Sequence, residues 1–259
     1  MKYDSLVLGN EKAKAGIQPE GGYVTSWQIK EDSGEWKDIL YVGSSIKRSG
    51  IPILFPYFGK AEKWPQHGFG RNSTWRVIEK NETRVVMELK SENISEEARE
   101  WYPYNFVTRI VVEVSEEGEL LYSLQVENVG DQAMPISPGV HPYWKTDHTT
   151  KKNILIDGVE DFDASAFDWE NNPPDNVYTF VGNAVVHLSA HDVVIEDVSD
   201  ESVIKHVVVW SQTPVRDPDF DFVCVEPTTG WNYAIDKNPI LVAQNDQWEM
   251  KLRFSVNSK

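Results

Sequence analysis

Apolar and polar residues alternate along most of this chain. Residues 74–79 and 83–89 alternate on either side of a polar turn at Lys80-Asn81-Glu82. Residues 106–114 and 120–129 form a second pair, joined by Ser115-Glu116-Glu117-Gly118-Glu119, where the glycine supplies the turn. A period of two sends successive side chains to opposite faces, so each run predicts a strand with one face in the core. Residues 24–29, 153–156, 193–196, 203–210, 222–226 and 248–256 add further strands. One stretch, 94–101, reads as helix, with Ser95 as its cap and Glu96 and Glu97 near the positive end. The acidic stretch 161–176, with Asn171-Asn172-Pro173-Pro174, reads as a loop excursion, because strand patterning resumes on both sides. The pattern predicts an all-β fold, a large antiparallel β-sandwich or barrel with very little helix, forming a single domain over residues 1–259.

Composition narrows the partners. The 259 residues are 40% hydrophobic, enough to bury a sizeable core. Lys and Arg number 25 against 41 Asp and Glu, a net charge of -16, which repels nucleic acid and anionic membranes. No window approaches the roughly 20 apolar residues of a membrane span, and Met1-Lys2-Tyr3-Asp4-Ser5 carries no apolar signal region. The single cysteine, Cys224, sits in an apolar run and reads as a buried small hydrophobe. With no disulfide possible inside the chain, the expected setting is a reducing, cytoplasmic one.

Four segments carry candidate chemistry. In Lys47-Arg48-Ser49-Gly50-Ile51-Pro52-Ile53-Leu54-Phe55-Pro56, two prolines that cannot donate to a ladder bracket an apolar run, which argues against a central strand. The run reads either as core packing or as a stiff wall that aims Arg48 into a cleft. In His67-Gly68-Phe69-Gly70-Arg71, the glycines permit close approach of a ligand, with His67 and Arg71 on either side. His141, between Gly139 and the pair Tyr143-Trp144, titrates near neutrality. Glu226 ends the apolar run 222–225, where desolvation raises a carboxylate pKa and makes a better base. Each has a plain alternative: a structural histidine, or a charge at a strand end before Pro227. His148, His187, His191 and His206 lie in polar contexts and receive no role. Trp64, Trp144, Trp210 and Trp231 are the aromatic residues near these motifs.

Taken in order, Arg48-Ser49-Gly50-Ile51-Pro52-Ile53-Leu54-Phe55-Pro56, His67-Gly68-Phe69-Gly70-Arg71, Gly139-Val140-His141-Pro142-Tyr143 and Val225-Glu226-Pro227 resemble the aldose 1-epimerase, or galactose mutarotase-like, family. The resemblance runs from about residue 21 to 256 and leans towards the glucose-6-phosphate 1-epimerase branch. Ser49 stands where many relatives have glycine, and Gly70 where alanine is frequent. The resemblance implies a β-supersandwich with an open sugar cleft and no cofactor. It implies His141 as general acid and Glu226 as general base, with Arg48, His67, Arg71 and Asp175 contacting the substrate. The expected partner is a small sugar or sugar phosphate, and the expected assembly a monomer or weak dimer.

Other assignments use the same residues. The substrate can be a free hexose or a hexose 6-phosphate, the latter held by Arg48 and Arg71 through charge-assisted hydrogen bonds. A non-catalytic sugar-binding module would use the same cleft but needs no acid–base pair. His67, His141 and Glu226 have the content of a two-histidine, one-carboxylate iron site. Their wide separation, with no short His-x-Glu or His-x-His unit, leads to the expectation of no metal.

Overall fold

The structure, a computed structural model, describes residues 6–258; the reading of Met1 to Ser5 lies outside the described residues. The all-β expectation holds. An eight-stranded antiparallel sheet runs Leu155–Asp157, Asn183–His187, His191–Asp197, Gln247–Ser258, Leu120–Asn128, Phe106–Val114, Arg84–Lys90 and Arg76–Lys80. Its centre follows directly from the alternation. Phe106–Val114 and Leu120–Asn128 are each buried at every second residue and pair in unbroken register, from Phe106 opposite Asn128 to Val114 opposite Leu120. Phe106, Ile110, Leu120, Tyr122 and Leu124 thereby share one inward face.

Two further antiparallel sheets meet this one. Leu6–Gly9, Ala13–Gln18, Tyr23–Lys30 and Trp36–Asp38 form a four-stranded sheet. Six strands form the other: Asp175–Thr179, His206–Trp210, Phe222–Thr228, Gly139–Val140 and Ile53–Leu54 in sequence across it, with Tyr143–Lys145 also on Phe222–Thr228. Val207, Val209, Val223 and Val225 turn one face of the six-stranded sheet into the main core. Trp144, on the same face opposite Val223, packs its ring against Phe254 of the eight-stranded sheet at 5.4 Å. The other face carries Val208, Trp210, Cys224 and Glu226.

The single expected helix forms as Glu96–Trp101, and Ser95 Oγ accepts from the Ala98 N–H at 3.1 Å. The apolar run between Pro52 and Pro56 is no central strand: Ile53–Leu54 pairs at one end of its sheet, and Phe55 makes a single bridge to Gly68. Other boundaries move. The strand expected at 153–156 is Leu155–Asp157, preceded by a 3-10 turn at His148–Asn153. The strand expected at 203–210 starts at His206, because Asp197 Oδ2 takes the amides of Val203 and Ile204 into a loop. The excursion at 161–176 yields its last two residues to the strand Asp175–Thr179. His191, assigned a polar context, is 3% exposed, because it opens a strand held between two neighbours. Among the described residues, no helix is long and apolar enough to cross a membrane.

Candidate active site

A gap in one ladder creates the site. Gly139 pairs with Thr228, and Tyr143, Trp144 and Lys145 pair with Cys224, Val223 and Phe222. The two stretches keep one register, so His141 stands opposite Glu226 and Pro142 opposite Val225. The ladder is interrupted between them. Pro142 has no N–H to give, and the His141 N–H turns away to Pro52 O at 3.1 Å. Directly opposed antiparallel residues send their side chains to the same face. His141 Nε2 accordingly lies 3.3 Å from Glu226 Oε1. Glu226 Oε1 and His141 Nδ1 nevertheless lack hydrogen-bond partners. Both residues line the cleft, and these two atoms are buried.

Glu226 does not end its strand, contrary to the sequence expectation. Phe222–Thr228 continues two residues past it, because the neighbouring strand His206–Trp210 still pairs there, with Val207 opposite Pro227 and His206 opposite Thr228. Glu226 is thus held from a strand interior, 2% exposed. Pairing lays out two rows on the cleft face. Val177, Val208, Glu226 and His141 form one; Asp175, Trp210, Cys224 and Tyr143 form the other.

The loops add the remaining groups. Arg48 ends the 3-10 turn Ile46–Arg48, capped by Ser45. Its guanidinium lies 5.3 Å from the Trp210 ring centre, and its Nε is 3.4 Å from Asp217 Oδ2. Asp219, 5% exposed, ties the two loops together by accepting from Tyr41 Oη at 3.0 Å and from the Ser44 amide at 2.8 Å. His67 takes the left-handed conformation at φ 70°. Its N–H donates to Gly59 O, and the Gly59 N–H donates back to His67 Nδ1 at 3.0 Å. That return bond fixes the tautomer: Nδ1 accepts, so Nε2 carries the proton as a donor. Burial, helped by Arg71, lowers the His67 pKa to about 3, so this ring stays neutral. Arg71 sits in the next turn, Gly70–Asn72, and makes no ion pair among the described residues.

All six residues singled out from the sequence, Arg48, His67, Arg71, His141, Asp175 and Glu226, line one cleft of about 270 Å³. That is close to the lower end of small-molecule sites, roughly 300–1,000 Å³. Phe58, Gln66, Tyr143, Val208, Trp210 and Trp231 complete the lining. Of the four tryptophans near the motifs in sequence, Trp210 and Trp231 reach the cleft; Trp144 is core, and Trp64 packs on Tyr57 at 5.7 Å. Tyr143, whose ring stacks on His141 at 4.7 Å, went unassigned, as did Val208. Their alternation with core-facing neighbours was the available signal. Asp217 and Asp219 had none, since their contacts with residues 41–48 span the chain.

Burial governs the electrostatics. It pushes the Glu226 carboxyl well above its usual range, with the Asp175 carboxylate adding to the rise and Arg71 opposing it. It pushes the His141 ring well below the usual imidazole value, with His67 and Arg71 acting in the same direction. Both groups therefore favour their neutral forms.

A family model described as aldose 1-epimerase matches residues 4–221. A protein of Salmonella typhimurium named "Putative glucose-6-phosphate 1-epimerase" is 26% identical, over 93% of this chain and 89% of its own length. Among solved structures, a galactose mutarotase related enzyme from Lactobacillus acidophilus superposes with a TM-score of 0.78 at 18% identity, covering 98% of this chain and 97% of that one. A galactose mutarotase-like protein from Clostridium acetobutylicum gives 0.76 at 17%, covering 98% and 95%. These likenesses establish the fold as galactose mutarotase-like.

Gly68 is the backbone position on which the His67 turn depends. It has φ +64°, and a Cβ there would stand 2.4 Å from Phe55 O. Gly68→Ala is expected to lower stability by at least about 1–2 kcal/mol, the cost of a left-handed alanine before the clash is counted. Equilibrium urea unfolding measures it, and an unchanged midpoint would contradict this geometry.

Proposed function

This chain belongs to the aldose 1-epimerase family and is an isomerase, and we propose that it interconverts the α and β anomers of a hexose 6-phosphate with His141 and Glu226 as its proton-transfer pair. Glu226 takes the proton from the anomeric hydroxyl while His141 gives one to the ring oxygen. The carbon–oxygen bond of the ring breaks, leaving the open aldehyde. Rotation about the bond between the first two carbons presents the other carbonyl face. Reclosure returns both protons and yields the other anomer. The observation that carries this reading is the buried cross-strand pair itself, with Glu226 Oε1 and His141 Nε2 3.3 Å apart and the carboxylate oxygen unpartnered. His67, fixed as a neutral donor through Nε2, suits a sugar hydroxyl.

The phosphate assignment rests on charge. Arg48 is already offset by Asp217, whereas Arg71 has no carboxylate partner among the described residues. A guanidinium left unpaired in a cleft is a site for a charged oxygen group. The name of the Salmonella typhimurium relative points the same way.

His141→Asn and Glu226→Gln are each expected to lower kcat by about 100- to 10,000-fold, the usual worth of one positioned proton transfer. Polarimetry on a single anomer reads this directly. Near-normal rates in both variants would remove the assignment. For the substrate, kcat/KM should favour glucose 6-phosphate over glucose, and Arg71→Ala should erase most of that preference. Equal turnover of the two sugars would instead indicate free hexoses.

The pH profile follows from the two opposed shifts. The step as written needs one proton in total on the pair, held by His141 at the moment of ring opening. A second proton enters only when pH falls through the lowered His141 value. The single proton leaves only when pH rises through the raised Glu226 value. The kcat/KM profile is therefore expected to be flat across neutrality, with its acid limb below the ordinary histidine value of about 6.5. An acid limb centred at or above that value would contradict the account.

A further inference from the structure

We propose that Cys224 completes, with His141 and Glu226, a site that takes a zinc-class divalent cation and closes the cleft to substrate. Cys224 and Glu226 lie two residues apart on Phe222–Thr228 and so share its cleft face. His141 faces Glu226 across the gap in the ladder, and Tyr143 faces Cys224. One donor atom from each of Cys224, His141 and Glu226 lies within 4.8 Å of the other two. The three residues are between 0 and 7% exposed.

Two observations point to an ion. The first is distance. A tetrahedral ion with Zn–N and Zn–O bonds of about 2.0–2.2 Å separates those donors by roughly 3.3–3.5 Å. The His141 Nε2 to Glu226 Oε1 distance is 3.3 Å. An edge to sulfur is longer, about 3.6 Å, so the thiol closes by up to roughly 1.2 Å on binding. The second is the unpartnered Glu226 Oε1, a buried carboxylate oxygen with nothing to accept from. Such atoms are rare because they are costly, and a cation satisfies this one.

The donor set also selects the ion. Thiolate and imidazole favour zinc-class metals, while calcium and magnesium prefer oxygen throughout. Thiolate and carboxylate together balance a double positive charge. Binding releases the thiol proton, and any proton on the carboxyl, to solvent; nothing is oxidised. Three protein ligands leave a fourth position open towards the cleft. A bound ion would occupy the lone pairs of both proposed proton-transfer groups, so it inhibits. That consequence rests on the acid–base reading; the binding does not.

Cobalt(II) added to the intact protein tests the site, because a sulfur-to-cobalt charge-transfer band needs a thiolate ligand and Cys224 is the only cysteine. One equivalent should produce the band with the intense visible absorption of four-coordinate cobalt, and zinc should displace it. Cys224→Ser should lose the band and bind zinc more weakly by more than the roughly 10–100-fold that outer-shell changes cost. Zinc at one equivalent should abolish anomerisation, and a chelator restore it, with magnesium and calcium without effect. Absence of the band in the wild-type protein overturns the proposal without any variant, and full activity in the zinc-loaded protein overturns its inhibitory role. If no anomerisation is found at all, the functional reading fails while the cobalt spectrum still decides the site.

Discussion

The register that sets His141 opposite Glu226 is the constraint on which the site depends. It is fixed twice, by Gly139 on Thr228 before the gap and by Tyr143 on Cys224 after it. A slip of one residue would turn either side chain from the cleft into the core. The core resists that slip. The residues between the cleft-facing ones, Val223, Val225 and Trp144, are fully buried, and Trp144 reaches Phe254 of the large sheet. The same alternation that buries the core on odd positions therefore delivers Cys224 and Glu226 to the cleft on even ones. Pro142 and Pro52 complete the device. One withholds a donor, the other's carbonyl accepts the His141 N–H, and the gap stays open.

Holding a carboxyl and an imidazole inside a sheet has an electrostatic result. Neither is paired well enough to favour its charged form, so burial raises the carboxyl pKa and lowers that of the imidazole. With one proton between them such a pair in water would be mostly two ions; here burial favours the neutral tautomer, with the proton on Glu226. Around them the cations are treated unequally. Arg48 is backed by Asp217 and Trp210, on loops stitched by Asp219 to Tyr41 and Ser44. Arg71 is left without such a partner among the described residues. The strongly negative net charge thus coexists with a local positive group in the cleft.

Much of this was legible in the sequence because it is written in periodicity. The strands Phe106–Val114 and Leu120–Asn128 coincide with their alternating runs nearly to the residue. Five of the six cleft residues stand in motifs punctuated by glycine or proline, whereas Asp175 follows only from the family resemblance. What the sequence hid is long-range. Nothing in the run 222–226 says that its neighbour His206–Trp210 extends the strand past Glu226, so the sequence alone places the carboxylate at a strand end. His191 looks polar in sequence because one of the two strands that flank its own, Gln247–Ser258, lies far along the chain. Short strands such as Leu6–Gly9 and Trp36–Asp38 carry too few residues to display a period. Cys224 was correctly read as buried, yet only pairing reveals what it is buried beside.

The central claim is that His141 and Glu226 act as one proton-holding unit. Anomer exchange measured by saturation-transfer NMR in the double variant His141→Asn/Glu226→Gln tests it most directly. Residues that work as a unit lose their function once, so the double variant should be no slower than the slower single variant. Losses that multiply, or exchange near the wild-type rate in the double variant, would contradict it.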